Sequence, residues 1–362
     1  MNFDLTEDQA LLKAVVERFV ADSYGDDLAA RRAARANRVG FSAANWQRLA
    51  DTGVLALVVS AGNGGLGAGR VELVTTMETL GRGLVAEPVL DIGVVAAGLL
   101  DAMGEASQLA ALMAGERLIV LAHGEREARY NLHHVTTTAT RRGDGVVLDG
   151  TKTAVLAGAA ADALIVSARG EEDGVGWWLV SADAPGVDRR DYRLADGSAA
   201  AEIVLRGVTV AVRLPGGIDT LMAVAATARL AAAAEMLGLM TLLFDATLAY
   251  VKTRQQFNQP LGSFQVIQHR MTDAYVLVEQ ARSQVMRAAL AAETDFARAA
   301  AGAKAFVAEA ALAVAHTAVQ MHGGMGITDE LNIGHALKRI RVLALTFGDA
   351  GAALDDYWRK AS

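Results

Sequence analysis

The sequence predicts an α+β fold in three successive parts: an N-terminal helical domain over 1–116, a middle antiparallel, barrel-like β-domain over 117–216 and a C-terminal helical bundle over 217–362. Three observations carry this expectation. Apolar residues recur at helical spacing through the first hundred residues; short β-type runs divided by Gly-rich turns follow; and long alanine-rich helical patterns return after Pro215-Gly216-Gly217.

The first helix opens at Thr6, where Gln9 completes a capping box, and Leu11, Leu12, Val15, Val16 and Phe19 recur with its period. Asn63-Gly64-Gly65-Leu66-Gly67 interrupts the pattern ahead of a helix from Val71 to Arg82, and helical text continues to about Met113. Strands are expected at 118–121, 146–148, 163–166, 177–180 and 202–205. Turn signals between them are Arg142-Gly143-Asp144-Gly145, Asp149-Gly150 and Gly174-Val175-Gly176. Asp219 or Thr220 offers the N-cap of a long helix reaching roughly to Thr253. The next helix repeats Ile267, Met271, Ala274, Val278, Ala281 and Val285 at steps of four and three, the seam of a bundle. A third, from about Arg298 to Met321, is rich in alanine, so neighbours can approach closely.

Composition narrows the function classes. With 52% apolar and 21% charged residues and only 4 prolines, the chain of 362 residues has a well-buried core rather than extended disorder. A net charge of −7 supplies no general field for nucleic acid or an acidic bilayer. The absence of cysteine excludes disulfides and a thiol nucleophile and fits a reducing, cytoplasmic location. Met1-Asn2-Phe3-Asp4-Leu5-Thr6-Glu7 lacks the basic region and apolar stretch of a signal peptide. The longest apolar tract, Leu221 to Val251, carries Arg229, Glu235 and Asp245, each costly in hydrocarbon, and reads as a buried soluble helix. The 7 histidines show no metal-ligand spacing, and neither a Gly-x-Ser-x-Gly element nor a phosphate-cradling Lys-Ser/Thr loop occurs.

Two stretches carry chemistry: Arg254-Gln255-Gln256-Phe257-Asn258-Gln259-Pro260-Leu261-Gly262-Ser263-Phe264-Gln265 and Gln320-Met321-His322-Gly323-Gly324-Met325-Gly326. An arginine can clamp a pyrophosphate with a two-pronged fork, and a Gly-Gly turn lets backbone N–H groups approach the same anion. The plainer reading of each alone is a helix-capping Arg and a helix-ending Gly pair.

In order and wording the two stretches resemble the acyl-CoA dehydrogenase family of flavoproteins, and the resemblance spans essentially the whole chain. Asn45 and Trp46, Gly64-Gly65-Leu66-Gly67 and Glu78-Thr79-Leu80-Gly81-Arg82 add framework matches. His123-Gly124-Glu125-Arg126, Ala128-Arg129-Tyr130 and Leu345-Thr346-Phe347-Gly348-Asp349 look most similar to small subunits of pimeloyl-CoA dehydrogenases and other unequal-subunit members. The resemblance implies FAD, an acyl-CoA substrate undergoing α,β-desaturation, a C-terminal four-helix bundle and a homo- or hetero-tetramer, with links to fatty acid or steroid side-chain degradation. Arg254, Phe257 and Gln265 then match an element that holds the adenosine diphosphate end of a neighbouring subunit's FAD. Gln320, Gly323 and Gly324 match a second element reaching the same cofactor.

Several family positions are altered. Ala154-Val155-Leu156-Ala157 replaces a Trp-Ile-Thr-Asn flavin-ring element, and His123 to Asn131 replaces a Thr-Glu-Pro-x-x-Gly-Ser-Asp element. Phe347 stands where the catalytic glutamate belongs, and Ala228 fills the alternative position of that base. Asp349 and, less directly, Glu235 are the candidates for a displaced base; Arg229 matches an arginine expected near CoA or anchoring its own helix. Four readings follow: a subunit completing the FAD site of a larger catalytic partner, a homo-oligomeric dehydrogenase using Asp349, a non-catalytic scaffold subunit, or a flavin oxidase or monooxygenase on the same fold.

Overall fold

Helices precede and follow an eight-stranded sheet in the computed structural model, which describes residues 4–25, 28–143, 145–170, 174–210 and 213–359. First come α1 (Glu7–Ser23), α2 (Leu28–Ala36), α3 (Ala43–Asp51), α4 (Arg70–Arg82), α5 (Ala97–Ala102) and α6 (Ala106–Met113), with a π-helical stretch, Val89–Ala96, leading into α5. The strands are β1 (Ile119–Ala122), β2 (Thr138–Arg142), β3 (Gly145–Leu156), β4 (Ala163–Gly170), β5 (Val175–Ser181), β6 (Val187–Arg193), β7 (Ala199–Val210) and β8 (Arg213–Leu214). After them run α7 (Ile218–Thr253), the short hairpin β9 (Gln255–Gln256) and β10 (Gln259–Pro260), α8 (Gln265–Ala289), α9 (Glu293–His322), α10 (Asn332–Leu345) and α11 (Ala350–Arg359). This is the expected order of helices, sheet and helices. The chain divides into two compact units, one holding Met1–Arg32, Arg70–Val85 and Arg229–Ser362, the other Ala33–Gly69 and Ala86–Ala228.

In the second unit the sheet runs β6-β7-β3-β2-β4-β5-β8, with β1 pairing β4 in parallel. A second parallel pairing joins β2 to β4, so the sheet is antiparallel except where β4 pairs β1 and β2. Three strands of the sheet escaped the sequence: β2, β6 and the two-residue β8. In β6, Val-Asp-Arg-Arg-Asp-Tyr-Arg lies at a sheet edge, where charged side chains are tolerated, and β2 ends in Arg141 and Arg142. Asp149-Gly150 is not a turn: it lies inside β3 at a register shift, and the Asp149 carboxylate accepts the Gly207 N–H at 2.7 Å. The turn expected at 142–145 joins β2 to β3, Arg142 pairing with Gly145; Asp144 lies outside the described residues, as do Met1, Asn2 and Phe3.

In the first unit the Thr6 capping box forms as expected and starts α1. Val16 and Phe19 face the core, whereas Leu11 stays 66% exposed, because the apolar pattern of α1 is broader than the face it buries. α7 begins at Ile218, which places Asp219 and Thr220 inside its first turn rather than at its cap. α9 starts at Glu293, earlier than expected, with Glu293 and Asp295 favouring the positive end of its dipole. Met271, Ala274, Val278, Ala281 and Val285 of α8 are buried, and α9, with α8, α10 and the short fifth helix α11 packed against it, buries a run of alanines.

α4 and α7 touch backbone to backbone at two glycines. A Cβ on Gly238 would collide with the Glu78 carbonyl oxygen, and one on Gly81 with the Glu235 carbonyl oxygen. Gly238→Ala is therefore expected to destabilise the protein by about 2–3 kcal/mol or more, since the obstruction is main chain and cannot rotate away. A denaturant titration showing an unchanged midpoint would contradict that close approach. α7 and the segment Glu293–Ile327 are long and apolar enough to cross a membrane, yet 72% and 67% of their most apolar windows are buried within the protein.

Candidate functional site

The two sequence motifs meet in the first unit. α7 ends with the Arg254 N–H donating to Tyr250 O at 2.8 Å, and the Leu261 N–H donates back to Arg254 O at 2.8 Å. Between them β9 and β10 pair Gln256 with Gln259, leaving Phe257 and Asn258 as a two-residue turn with φ of 55° and 64°. Positive φ at both positions is what a type I′ hairpin requires. Asparagine accepts it; phenylalanine does so under strain, and its ring is 86% exposed, edge-on to Phe264 at 6.2 Å. Arg254, Gln265 and Gln320 are exposed, and their side chains make no hydrogen bond or ion pair among the described residues.

α9 closes at His322, and Gly323 turns the chain with φ 62°. Gly324 follows without positive φ, and a Cβ there would meet no atom within 4 Å. Nothing in this chain's described residues demands its smallness. Exposed unpaired donors and an exposed glycine turn each suit an anion such as a pyrophosphate.

The positions tied to the missing base are occupied by structural interactions. Phe347, at φ 54°, lies between α10 and α11; its carbonyl accepts from Arg229 Nε at 2.9 Å, and Arg229 Nη2 lies 2.5 Å from an Asp356 carboxylate oxygen. Arg229 is buried, and these contacts anchor α7 to the segment between α10 and α11 and to α11 itself. Lys304, fully buried and not singled out by the sequence, donates to Ala344 O at 2.9 Å and Gly348 O at 2.8 Å on either side of Phe347. Burial, reinforced by the charge of Arg229 and opposed by that of Asp349, lowers its pKa to about 7.

Asp349 accepts the Ala352 N–H at 2.8 Å and caps α11. Glu235 is buried and takes a two-pronged pair from Arg339 at 2.6 and 3.1 Å. Both carboxylates are explained by these contacts, and Ala228 is buried hydrocarbon. Glu78 pairs with Arg282 at 2.6 Å.

In the second unit, Ala154 and Ala157 adopt φ of 51° and 55° around a further register shift of β3. Beneath the rewritten 123–131 stretch sits a buried polar network. Glu125 accepts from the backbone N–H and the hydroxyl of both Thr136 and Thr137, tying the two ends of that loop together. Lys152 Nζ donates to Glu125 at 2.7 Å and to Ser167 Oγ at 3.0 Å. Ser167 in turn lies 2.9 Å from His123 Nδ1. The tautomer with its proton on Nε2 lets the Ser167 hydroxyl donate to Nδ1 while its oxygen accepts from Lys152. The sequence did not mark this network, because Lys152 and Glu125 lie 27 positions apart.

Burial, aided by the charge of Lys152, pushes the His123 pKa down to about 4, and burial brings Lys152 to about 8 despite Glu125. Although burial opposes its charge, donors from Lys152, Thr136 and Thr137 hold the Glu125 carboxyl well below the usual range. A depressed His123 stabilises the fold above pH 6.5 and loses that contribution as pH falls toward 4. The loss amounts to roughly 3 kcal/mol. Denaturant titrations across this window should show the decline, and His123→Asn should flatten it; an equally steep decline in the variant would assign it elsewhere.

Family models match three successive stretches: "Acyl-CoA dehydrogenase, N-terminal domain" over 6–115, "middle domain" over 121–208 and "C-terminal domain" over 216–359. Acyl-CoA dehydrogenase FadE27 of Mycobacterium tuberculosis is 32% identical over 298 residues, 78% of each chain. The ChsE4-ChsE5 complex from Mycobacterium tuberculosis superposes with a TM-score of 0.89 at 29% identity, covering 100% of this chain and 99% of that one. A structure of PigA with FAD and proline shares the fold, with a TM-score of 0.91 at 23% identity and coverage of 100% and 99%. Three matched domains in order, together with these relatives, make the chain a member of the acyl-CoA dehydrogenase family.

Proposed function

We propose that this chain is a subunit of an FAD-dependent acyl-CoA dehydrogenase and that it completes the FAD site of a larger, catalytically complete subunit, in a hetero-tetramer. The observation that carries this reading is an asymmetry. Arg254, Gln265 and Gln320 are exposed with uncommitted side chains, and Gly323 and Gly324 are exposed, whereas Phe347 and Ala228 leave both expected base positions without a proton acceptor. Abstraction of an α-proton from a thioester needs a positioned carboxylate or equivalent base. Asp349 and Glu235 are held by a helix cap and a buried ion pair, which favours a base supplied by the partner.

FAD, when bound, accepts the hydride leaving the β-carbon. This chain's part is to hold the cofactor's diphosphate: Arg254 by a charged fork, Gly323 and Gly324 through backbone N–H groups, with Gln265 and Gln320 as further donors. The strained, exposed Phe257 ring suits a partner surface, as do the exposed Val266, Met325 and Ile327. That ChsE4-ChsE5 is a complex supports assembly with a second, unequal chain.

The test is to co-express the chain with a larger acyl-CoA dehydrogenase subunit that retains the glutamate. The purified complex should bleach its flavin absorbance on addition of acyl-CoA, and the chain alone should not. Bleaching by the chain alone would overturn the division of labour. Within the complex, Gly324→Ala should leave stability within about 0.5 kcal/mol of the parent yet weaken FAD retention roughly tenfold, because its Cβ meets nothing inside the chain. Unchanged FAD retention would remove Gly324 from the site.

A further inference from the structure

The two halves of this cofactor site are joined by a pair of aromatic rings. Tyr250 lies one helical turn before Arg254, and its carbonyl accepts the Arg254 N–H. His322 immediately precedes the Gly323-Gly324 turn. The two rings stack at 4.2 Å between centroids with 24° between their planes. His322 is buried, and its Nδ1 lies 2.9 Å from Ala318 O, so Nδ1–H donates to that carbonyl and fixes the ring plane. Beneath the stack, Val251, Met271 and Met321 form one buried cluster on which Tyr250, Leu261 and Ile267 pack.

We propose that Tyr250 and His322 are positioning residues: their stack sets the Arg254 end of α7 against the glycine turn after α9, so that fork and backbone donors meet one diphosphate. The inference rests on the FAD reading above. Neither ring needs to touch the cofactor. The stack acts through register, because a shift at either helix end moves one set of donors and leaves the other behind.

The test is FAD dissociation from the co-expressed complex carrying Tyr250→Ala, His322→Ala, both together, or the ring-preserving Tyr250→Phe and His322→Phe, with thermal melting of each complex as control. Each alanine variant should release FAD about tenfold more readily, the double variant no more than either single, and the phenylalanine variants within about twofold of the parent. Alanine variants that keep FAD while Arg254→Ala loses it would overturn the coupling and spare the FAD reading. If Arg254→Ala also keeps FAD, both fall. Losses that add in the double variant, or that track melting temperature across all five, would reduce the stack to general packing and overturn the proposal.

Discussion

Arg254→Ala is expected to weaken FAD retention by the assembled complex roughly 30- to 100-fold while leaving the fold intact. A charge-assisted, two-pronged hydrogen bond contributes about 1.5–3 kcal/mol, which corresponds to a factor of that order. The two effects separate because Arg254 is exposed and has no partner among the described residues, so its removal strands nothing. Surface changes of that kind stay within about 0.5 kcal/mol. Flavin fluorescence released on dilution reads the affinity, and a melt of the same sample reads the stability. Unaltered FAD retention would make Arg254 a plain helix-end residue and this chain a scaffold.

Lys152→Met should have the largest effect on stability, about 3–5 kcal/mol, because it leaves the Glu125 carboxylate buried without its counter-charge. Glu125→Gln alone strands the ammonium instead. The double variant should recover part of the loss, since the cost of a broken buried pair lies mainly in the partner left behind. Denaturant midpoints for the three variants test this, and a single variant within about 1 kcal/mol of the parent would contradict it. The function at stake is the shape of the 123–137 loop, whose two ends converge on Glu125.

What the sequence made legible was local. The Thr6 capping box, the α8 seam and the interrupted Gly-rich stretch before α4 each depend on residues within a few turns of one another. The β6 strand did not announce itself because its charged residues suit an edge. Asp149-Gly150 has the composition of a turn but serves as an irregularity within a long strand. At the site, Arg254 and the glycines were readable as motifs, whereas the Tyr250–His322 stack exists only once α7 and α9 end side by side. The same holds for Asp349 and Glu235. Their residue type suggested bases, but the backbone N–H three residues on and the arginine 104 positions away that they bind could not be read from the sequence.

The most direct test of the central claim is the FAD content of the purified chain, first alone and then in complex with a larger, glutamate-bearing subunit, with FAD added back in both cases. The shared-site account predicts that the chain alone retains little FAD even after add-back and that the complex holds it firmly. A full complement of FAD on the chain alone would contradict the account and make it a self-sufficient flavoprotein.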